Sequence, residues 1–220
     1  GILYALNKSE IMQAAYSDPE FYDLCNTFLP PVNEYYDDTN VEKYDQDVEK
    51  AKEYVEKSGV DPASIDFPII CSDDTKKRAG EVIQANLKEI GINCEIESMD
   101  LATYLSTTAE GNYTAAIGNY SASNMLSYLT GVYHSKSIGA SNKTRLNNPE
   151  VDALIDQACA TIDEAEREEV LRQCNTLINE LCPQVPLFQD VYLRAYNANL
   201  EGVEINAAGF LYFNDVKWKE

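Results

Sequence analysis

Residues 65–96 constrain the fold more than any other stretch. IDFPIIC (65–71) is a short apolar run suited to a buried strand, and Pro68 inside it points to a sheet edge or a bulge. Ser72-Asp73-Asp74 then opens a helical pattern, TKKRAGEVIQANLKEI. Its apolar face is Ala79, Val82, Ile83, Asn86 or Leu87, and Ile90, and Gly91 closes it. INCEI (92–96) follows with the alternation of a second strand. Strand, helix and strand within about 30 residues form a βαβ unit, so the two strands are expected to be parallel. The predicted class is α/β.

The flanking sequence supplies helices and one more strand. ILYALNKSEIMQAAY (2–16) has apolar residues near helical spacing, broken at residues 7–10, where Ser9 is the expected cap of a second short helix. A long aromatic loop follows, and Pro30-Pro31 forbids regular structure in it. Residues 45–59 form a helix with Asp45 as N-cap and Gly59 past its end; Val48, Ala51, Tyr54, Val55 and Ser58 mark one face. Asp100 caps a short helix through Ala109. Residues 113–120 read as a third strand with Ala115 and Ile117 on one face. Leu126, Leu129 and Val132 give residues 121–147 a weak helical stripe. Asn148-Pro149 is a strong helix start, and Asp163 restarts a helix that buries Val170, Leu171, Cys174, Leu177, Ile178 and Leu181 before Pro183. Residues 185–187 and 191–196 read as strands. The tail, 200–220, is thin in apolar pattern except for Phe210, Leu211, Tyr212, Phe213 and Trp218, and reads as a segment that belongs against something else.

Charge and composition narrow the function. The formal net charge of −20 repels phosphate backbones and anionic lipid, so nucleic acid is not an expected partner. No apolar run approaches the ~18 residues of a membrane span. The chain opens inside an amphipathic pattern and reads as a piece of a longer protein, so the missing targeting signal carries no weight. The six cysteines include no C-x-x-C pair, which disfavours a zinc ribbon or redox motif. Cys159 and Cys174 fall on apolar helix stripes as small hydrophobes. Cys71 and Cys94 fall on adjacent strands, which leaves a disulfide open. The one histidine, His134 in YHSKS, reads as a solvated loop residue. A single histidine excludes two-His metal motifs, and no pattern places it beside a nucleophile. Asp73-Asp74 fits helix capping rather than a calcium loop. No catalytic set, metal site or cofactor is expected.

GNYTAAIGNYSASN (111–124) repeats Gly-Asn-Tyr seven residues apart, and both copies are glycosylation sequons, as is Asn142-Lys143-Thr144. The first copy closes a helix-to-strand turn, so Asn112-Tyr113 is read as scaffold. The second leaves the far end of the third strand.

Taken together, the order of elements resembles the C-terminal portion of the family 5 extracellular solute-binding proteins of ABC transporters, the oligopeptide-, dipeptide- and nickel-binding type. ILYALNKSEIM is similar to the family's "AinyAidr" helix, FLPPVNEYY to its Pro-rich loop, and YDQDVEKAKEYVEKSGV to its "yDpekAkelLkeaG" helix. EVIQANLKEIGINCEIESMDLATYL and NNPEVDALIDQACATIDEAEREEVLRQCNTLINELCPQVPLF resemble its βαβ unit and its closing helices. The resemblance implies a periplasmic-binding-protein-like lobe, with the βαβ unit in a mixed sheet flanked by helices. Residues 1–196 would be the C-terminal ligand-binding lobe, and 197–220 would return to an N-terminal lobe absent here. It implies a bacterial, non-enzymatic protein, a lipoprotein at the cell surface or a periplasmic one, that closes on a small-molecule or peptide ligand and delivers it to ABC permease subunits. A bacterial origin argues against glycosylation. In oligopeptide binders the corresponding segment has the form Y-D-x-x-x-x-x-W-x-x-D. Laid on Tyr113, it puts the Trp at Tyr120 and the Asp at Ser123. That Asp pairs with a peptide's α-ammonium, a charge-assisted contact a serine does not make. The implied ligand wall is Asn119, Tyr120, Ser121, Ser123 and Asn124, suited to a neutral peptide-like or oligosaccharide ligand. An extracellular sensor module and an α/β enzyme are the alternatives.

Overall fold

The computed structural model describes residues 1–27, 35–39, 41–122, 124–191, 194–206 and 210–219. The Pro30-Pro31 segment and Ser123 lie outside these residues.

The chain begins with α1 (Ile2–Ala5) and α2 (Lys8–Ala15). Asn7, not Ser9, caps α2: its side chain accepts the Glu10 N–H at 3.1 Å. Asn7 still has extended backbone, whereas Ser9 is already helical. After β1 (Tyr22–Leu24) comes α3 (Val48–Ser58). Its cap is Asp47 rather than Asp45, accepting the Lys50 N–H at 2.9 Å. Gly59 ends it in the left-handed region, φ 69°, as expected. Ala51 is its buried residue, with Val48 and Val55 packed beside it; Tyr54 and Ser58 are exposed, contrary to the face expected.

The βαβ unit is present as β2 (Ile69–Cys71), α4 (Asp74–Glu89) and β3 (Ile96–Ser98), with Ile69 paired in parallel to Ile96. From β3 the chain runs through α5 (Leu101–Glu110) to β4 (Ala115–Ala116), which pairs in parallel with the other side of β2. The strand order is β3-β2-β4. β2 is thus the central strand, which corrects the edge position that Pro68 suggested. Pro68 sits one residue before β2, where its missing N–H breaks no ladder bond, and its carbonyl accepts the Ala115 N–H at 3.3 Å. All three residues of β2 are buried. β3 begins later than residue 92; upstream of it only Asn93 makes a bridge, to Asp66.

The second half is helical. α6 (Met125–Val132) precedes α7 (Pro149–Ala160) and α8 (Glu164–Leu181), capped by Asn124, Asn148 and Asp163. Val151, Ile155, Val170, Leu171, Cys174 and Ile178 make its core with Met125, Leu129 and Tyr133 from α6 and the residue after it. A second core holds α1, α2, the inner face of α4 and the sheet. Cys159 is exposed and Leu181 is 40% exposed, both corrections to the stripe expected. All six cysteines are free thiols, Cys71 and Cys94 included.

Antiparallel pairing occurs in sheets separate from the parallel one. β5 (Phe188–Asp190) pairs with β1, Tyr22 opposite Asp190, in place of the strand expected at 185–187; of the strand expected at 191–196, Tyr192 and Leu193 lie outside the described residues. The partner strand sets those limits, and β1 offers three residues. In the tail, β6 (Leu200–Glu201) pairs with β9 (Lys217–Trp218), and β7 (Glu204–Ile205) with β8 (Leu211–Tyr212).

Candidate functional site

From β2 the chain crosses to β3 on one side, and from β3 it crosses back past β2 to β4. The direction of crossing therefore reverses, with β2 and β4 side by side where it does so. In open α/β sheets ligands bind outside the carboxyl ends of the strands at such a switch point. Here that edge is built from residues 71–73 after β2, 98–100 after β3 and 117–121 after β4.

Both acids at this edge are committed to helix starts. Asp73 accepts the Lys76 N–H at 2.9 Å and also pairs with the Lys76 ammonium. Asp100 accepts the Ala102 and Thr103 N–H groups, each at 3.0 Å, and the Thr103 hydroxyl at 2.6 Å. The Thr103 hydroxyl, then its N–H, holds the Asp100 carboxyl below its usual range. Capping thus accounts for Asp73-Asp74, as the sequence suggested. Tyr104 fixes how the chain leaves β4: its hydroxyl donates to the Ile117 carbonyl at 3.2 Å and packs on Gly118. Burial pushes the Tyr104 phenol up to about 12.

Past that anchor come Asn119, Tyr120 and Ser121, all exposed. The Tyr120 ring meets Tyr128 edge-to-face at 5.7 Å, and Tyr128 meets Tyr133 at 6.1 Å. Tyr133 is fully buried and Tyr128 half-buried, while Tyr120 keeps 42% of its surface exposed. The result is a wall of neutral amide, phenol and hydroxyl groups. Asn124 is near it in sequence, but its side chain caps α6, accepting the Ser127 N–H at 2.9 Å. Ser123 lies outside the described residues. Two open hollows, of roughly 450 and 480 Å³, lie elsewhere, one beside Asp66 and Glu95 and one between α7 and α8.

The first Gly-Asn-Tyr is scaffold. Gly111 caps α5 at φ 85°, and the Tyr113 hydroxyl donates to the Lys143 carbonyl. The third sequon is closed: Asn142 is buried, and its amide donates to the carbonyls of His134 and Leu146 at 3.1 and 3.0 Å.

His134 corrects the solvated loop residue expected. It is 7% exposed, with Nε2 3.3 Å from Asp156 and Nδ1 3.2 Å from Asp152. The short 3₁₀ turn Ser135–Ser137 folds the ring against α7, and the Ser135 N–H donates to Asp152 at 2.8 Å. The signal available in sequence was the pair Asp152 and Asp156, four apart and so on one helix face. Burial is the largest single influence on Asp156 and opposes its ionisation, but the bond to His134 and the charges of Lys136 and His134 together outweigh it and hold the carboxyl below the usual range. Among the described residues no group of three His, Cys, Asp or Glu side chains is placed to hold a metal.

The chain is 29% identical to heme-binding protein A of Haemophilus influenzae, over 97% of this chain and 40% of that one. Among solved structures it is similar to the ABC transporter substrate-binding protein CtaP of Listeria monocytogenes, at 27% identity and TM-score 0.79, covering 86% of this chain and 39% of that one. A dipeptide-binding protein of a Pseudoalteromonas species, solved with Met-Leu, shares the fold at TM-score 0.85 and 21% identity, over 99% of this chain and 44% of that one. This chain spans about two fifths of the length of its curated relatives. Residues 1–140 match the family described as bacterial extracellular solute-binding proteins, family 5 Middle. That match covers well over half of the chain, and the chain belongs to the family 5 bacterial extracellular solute-binding proteins.

Proposed function

We propose that this chain is one lobe of the substrate-binding component of an ABC importer. It closes with an N-terminal lobe around a small extracellular ligand and presents it to permease subunits. The family match over residues 1–140 carries this reading. Relatives named as solute-binding proteins support a binding role rather than catalysis. Residues 1–196 form the C-terminal lobe, and 197–220 return to the partner lobe. The whole protein works outside the cytoplasmic membrane of a bacterium, lipid-anchored or periplasmic.

Ligand chemistry differs among the relatives, whose names include heme and D,D-dipeptides, so family membership alone leaves the ligand open. The switch-point edge favours a neutral one. Asn119, Tyr120 and Ser121 offer hydrogen bonds and an aromatic face, while Asp73 and Asp100 are engaged at helix starts. Ser123 and Asn124 belong to the same segment, with a serine where a peptide's ammonium would need an acid. The ligand is a peptide-like or oligosaccharide molecule without a free α-ammonium at this wall. The test is thermal unfolding of the two-lobed protein against free peptides, end-blocked peptides, neutral oligosaccharides and metal ions, where stabilisation follows ligand excess over Kd. Stabilisation by neutral ligands is expected. Stabilisation by free peptides alone overturns the neutral wall, and none by any class overturns solute capture of these kinds.

A further inference from the structure

A glycine inside a helix carries an entropic cost relative to alanine. Gly131 stands in the last turn of α6 with ordinary negative φ, so its backbone makes no demand that another residue fails to meet. Its surroundings do make one. A Cβ built there overlaps the Tyr120 hydroxyl and lies 3.4 Å from the Ser141 hydroxyl, which in turn donates to the Gly131 carbonyl at 2.9 Å. Tyr120 is thereby held at two points, its hydroxyl end in the notch over Gly131 and its ring against Tyr128, which the buried Tyr133 backs.

We propose that Gly131 is a positioning residue that seats Tyr120 as a preset stacking face for the ligand, a role that rests on residues 119–121 being part of the ligand wall. A ring fixed before the ligand arrives loses little rotamer freedom on binding. A 42%-exposed aromatic between an amide and a hydroxyl suits a neutral ligand with one flat apolar face and polar edges, the shared chemistry of a sugar ring and a blocked peptide unit.

The experiment compares Gly131→Ala, Tyr120→Phe and the double variant. In the 220-residue chain labelled with ¹³C in tyrosine rings, Tyr120 resonances are expected to carry the ring-current shift of Tyr128. Gly131→Ala should remove that shift while the thermal midpoint stays within a few degrees. In the two-lobed protein, calorimetry uses two probes, an end-blocked dipeptide and a neutral trisaccharide, and the one that binds identifies the source. Gly131→Ala should weaken that probe about tenfold, and the double variant should return to within about threefold of Tyr120→Phe, because removing the hydroxyl empties the notch. Unchanged Tyr120 resonances in Gly131→Ala overturn the seat. A displaced ring with unchanged affinity overturns the positioning role, as does a double variant no better than Gly131→Ala. If neither probe binds the unaltered protein, the ligand wall falls, while the resonances still judge the seat.

Discussion

Gly118 and Tyr104 are fitted to each other at the point where β4 ends. A Cβ on residue 118 would lie 2.7 Å from the Tyr104 hydroxyl, inside any van der Waals contact. Gly118→Ala must therefore displace a buried ring or the strand end, at about 1–3 kcal/mol. Tyr104→Phe removes one hydrogen bond to the Ile117 carbonyl, about 1 kcal/mol. In the Phe background the alanine should cost less than half of what it costs alone, measured by urea unfolding. Simple additivity of the two costs means that the hydroxyl is not the obstacle. The cysteines allow a second test at this scale. Thiolate is the reactive form, and burial raises the Cys25 thiol to about 11 and the Cys174 thiol to about 12. With an aromatic disulfide reagent at pH ~8, exposed Cys159 should react first, and Cys25 and Cys174 only as the chain unfolds. Rapid labelling of Cys174 in the folded chain contradicts its place in the α7–α8 core. None of this fit was legible beforehand, because it joins residues far apart in sequence whose types, Gly and Tyr, carry no distinctive pattern. The burial of His134 was missed for another reason: its signal, Asp152 and Asp156 four apart on one helix face, stands in a different element from the histidine.

Helix starts were far more legible, since one side chain and one turn of backbone decide them. Asp73, Asp100, Asn148 and Asp163 each cap the helix expected of them. The misses came where two candidates stood close together. Asp47 wins over Asp45 because the Asp47 N–H donates to the Tyr4 carbonyl at 2.8 Å, so packing against α1 fixes where α3 begins. Strand limits failed similarly, set by the length of the partner rather than by the run of apolar residues. Buried Asn175 and Asn179 on α8 lay beyond any periodicity too; they bind the backbone of Asp37 and Glu42, more than 130 residues away in sequence. The caps predict an acid response. An unfolded aspartate titrates near about 3.9, and Asp100 in the fold lies below its usual value. Its contribution is complete above the unfolded value and is lost as pH falls through the folded one. Asp100→Asn keeps an acceptor for the cap and removes the titration, so its stability should fall less steeply than that of the unaltered chain between about pH 5 and 2. Parallel acid curves would leave Asp100 without a part in the linkage.

At the scale of the whole molecule, the tail stands apart from both cores. The segment that holds its two nested strand pairs has Phe210, Phe213 and Trp218 at 68, 70 and 64% exposure, and none of the described tail residues belongs to either hydrophobic cluster. A buried tryptophan removes about 150–250 Å² from water, so three large aromatics left this open point to a partner surface. The sequence showed this as aromatic residues without a periodic stripe, and the proposed return to an N-terminal lobe supplies the partner. Trp218 is the only tryptophan in the chain, which makes it a direct reporter. In the 220-residue chain its emission should be water-like and strongly quenched by acrylamide. In the two-lobed protein, with tryptophans of the other lobe replaced by phenylalanine, emission should move to shorter wavelength and quenching should fall several-fold. Phe213→Ser, in the same tail, should partly reverse both changes there and leave the isolated chain unaltered. If Trp218 stays as open to acrylamide in the two-lobed protein as in the single chain, residues 197–220 do not return to the other lobe, and the division at residue 196 fails with it.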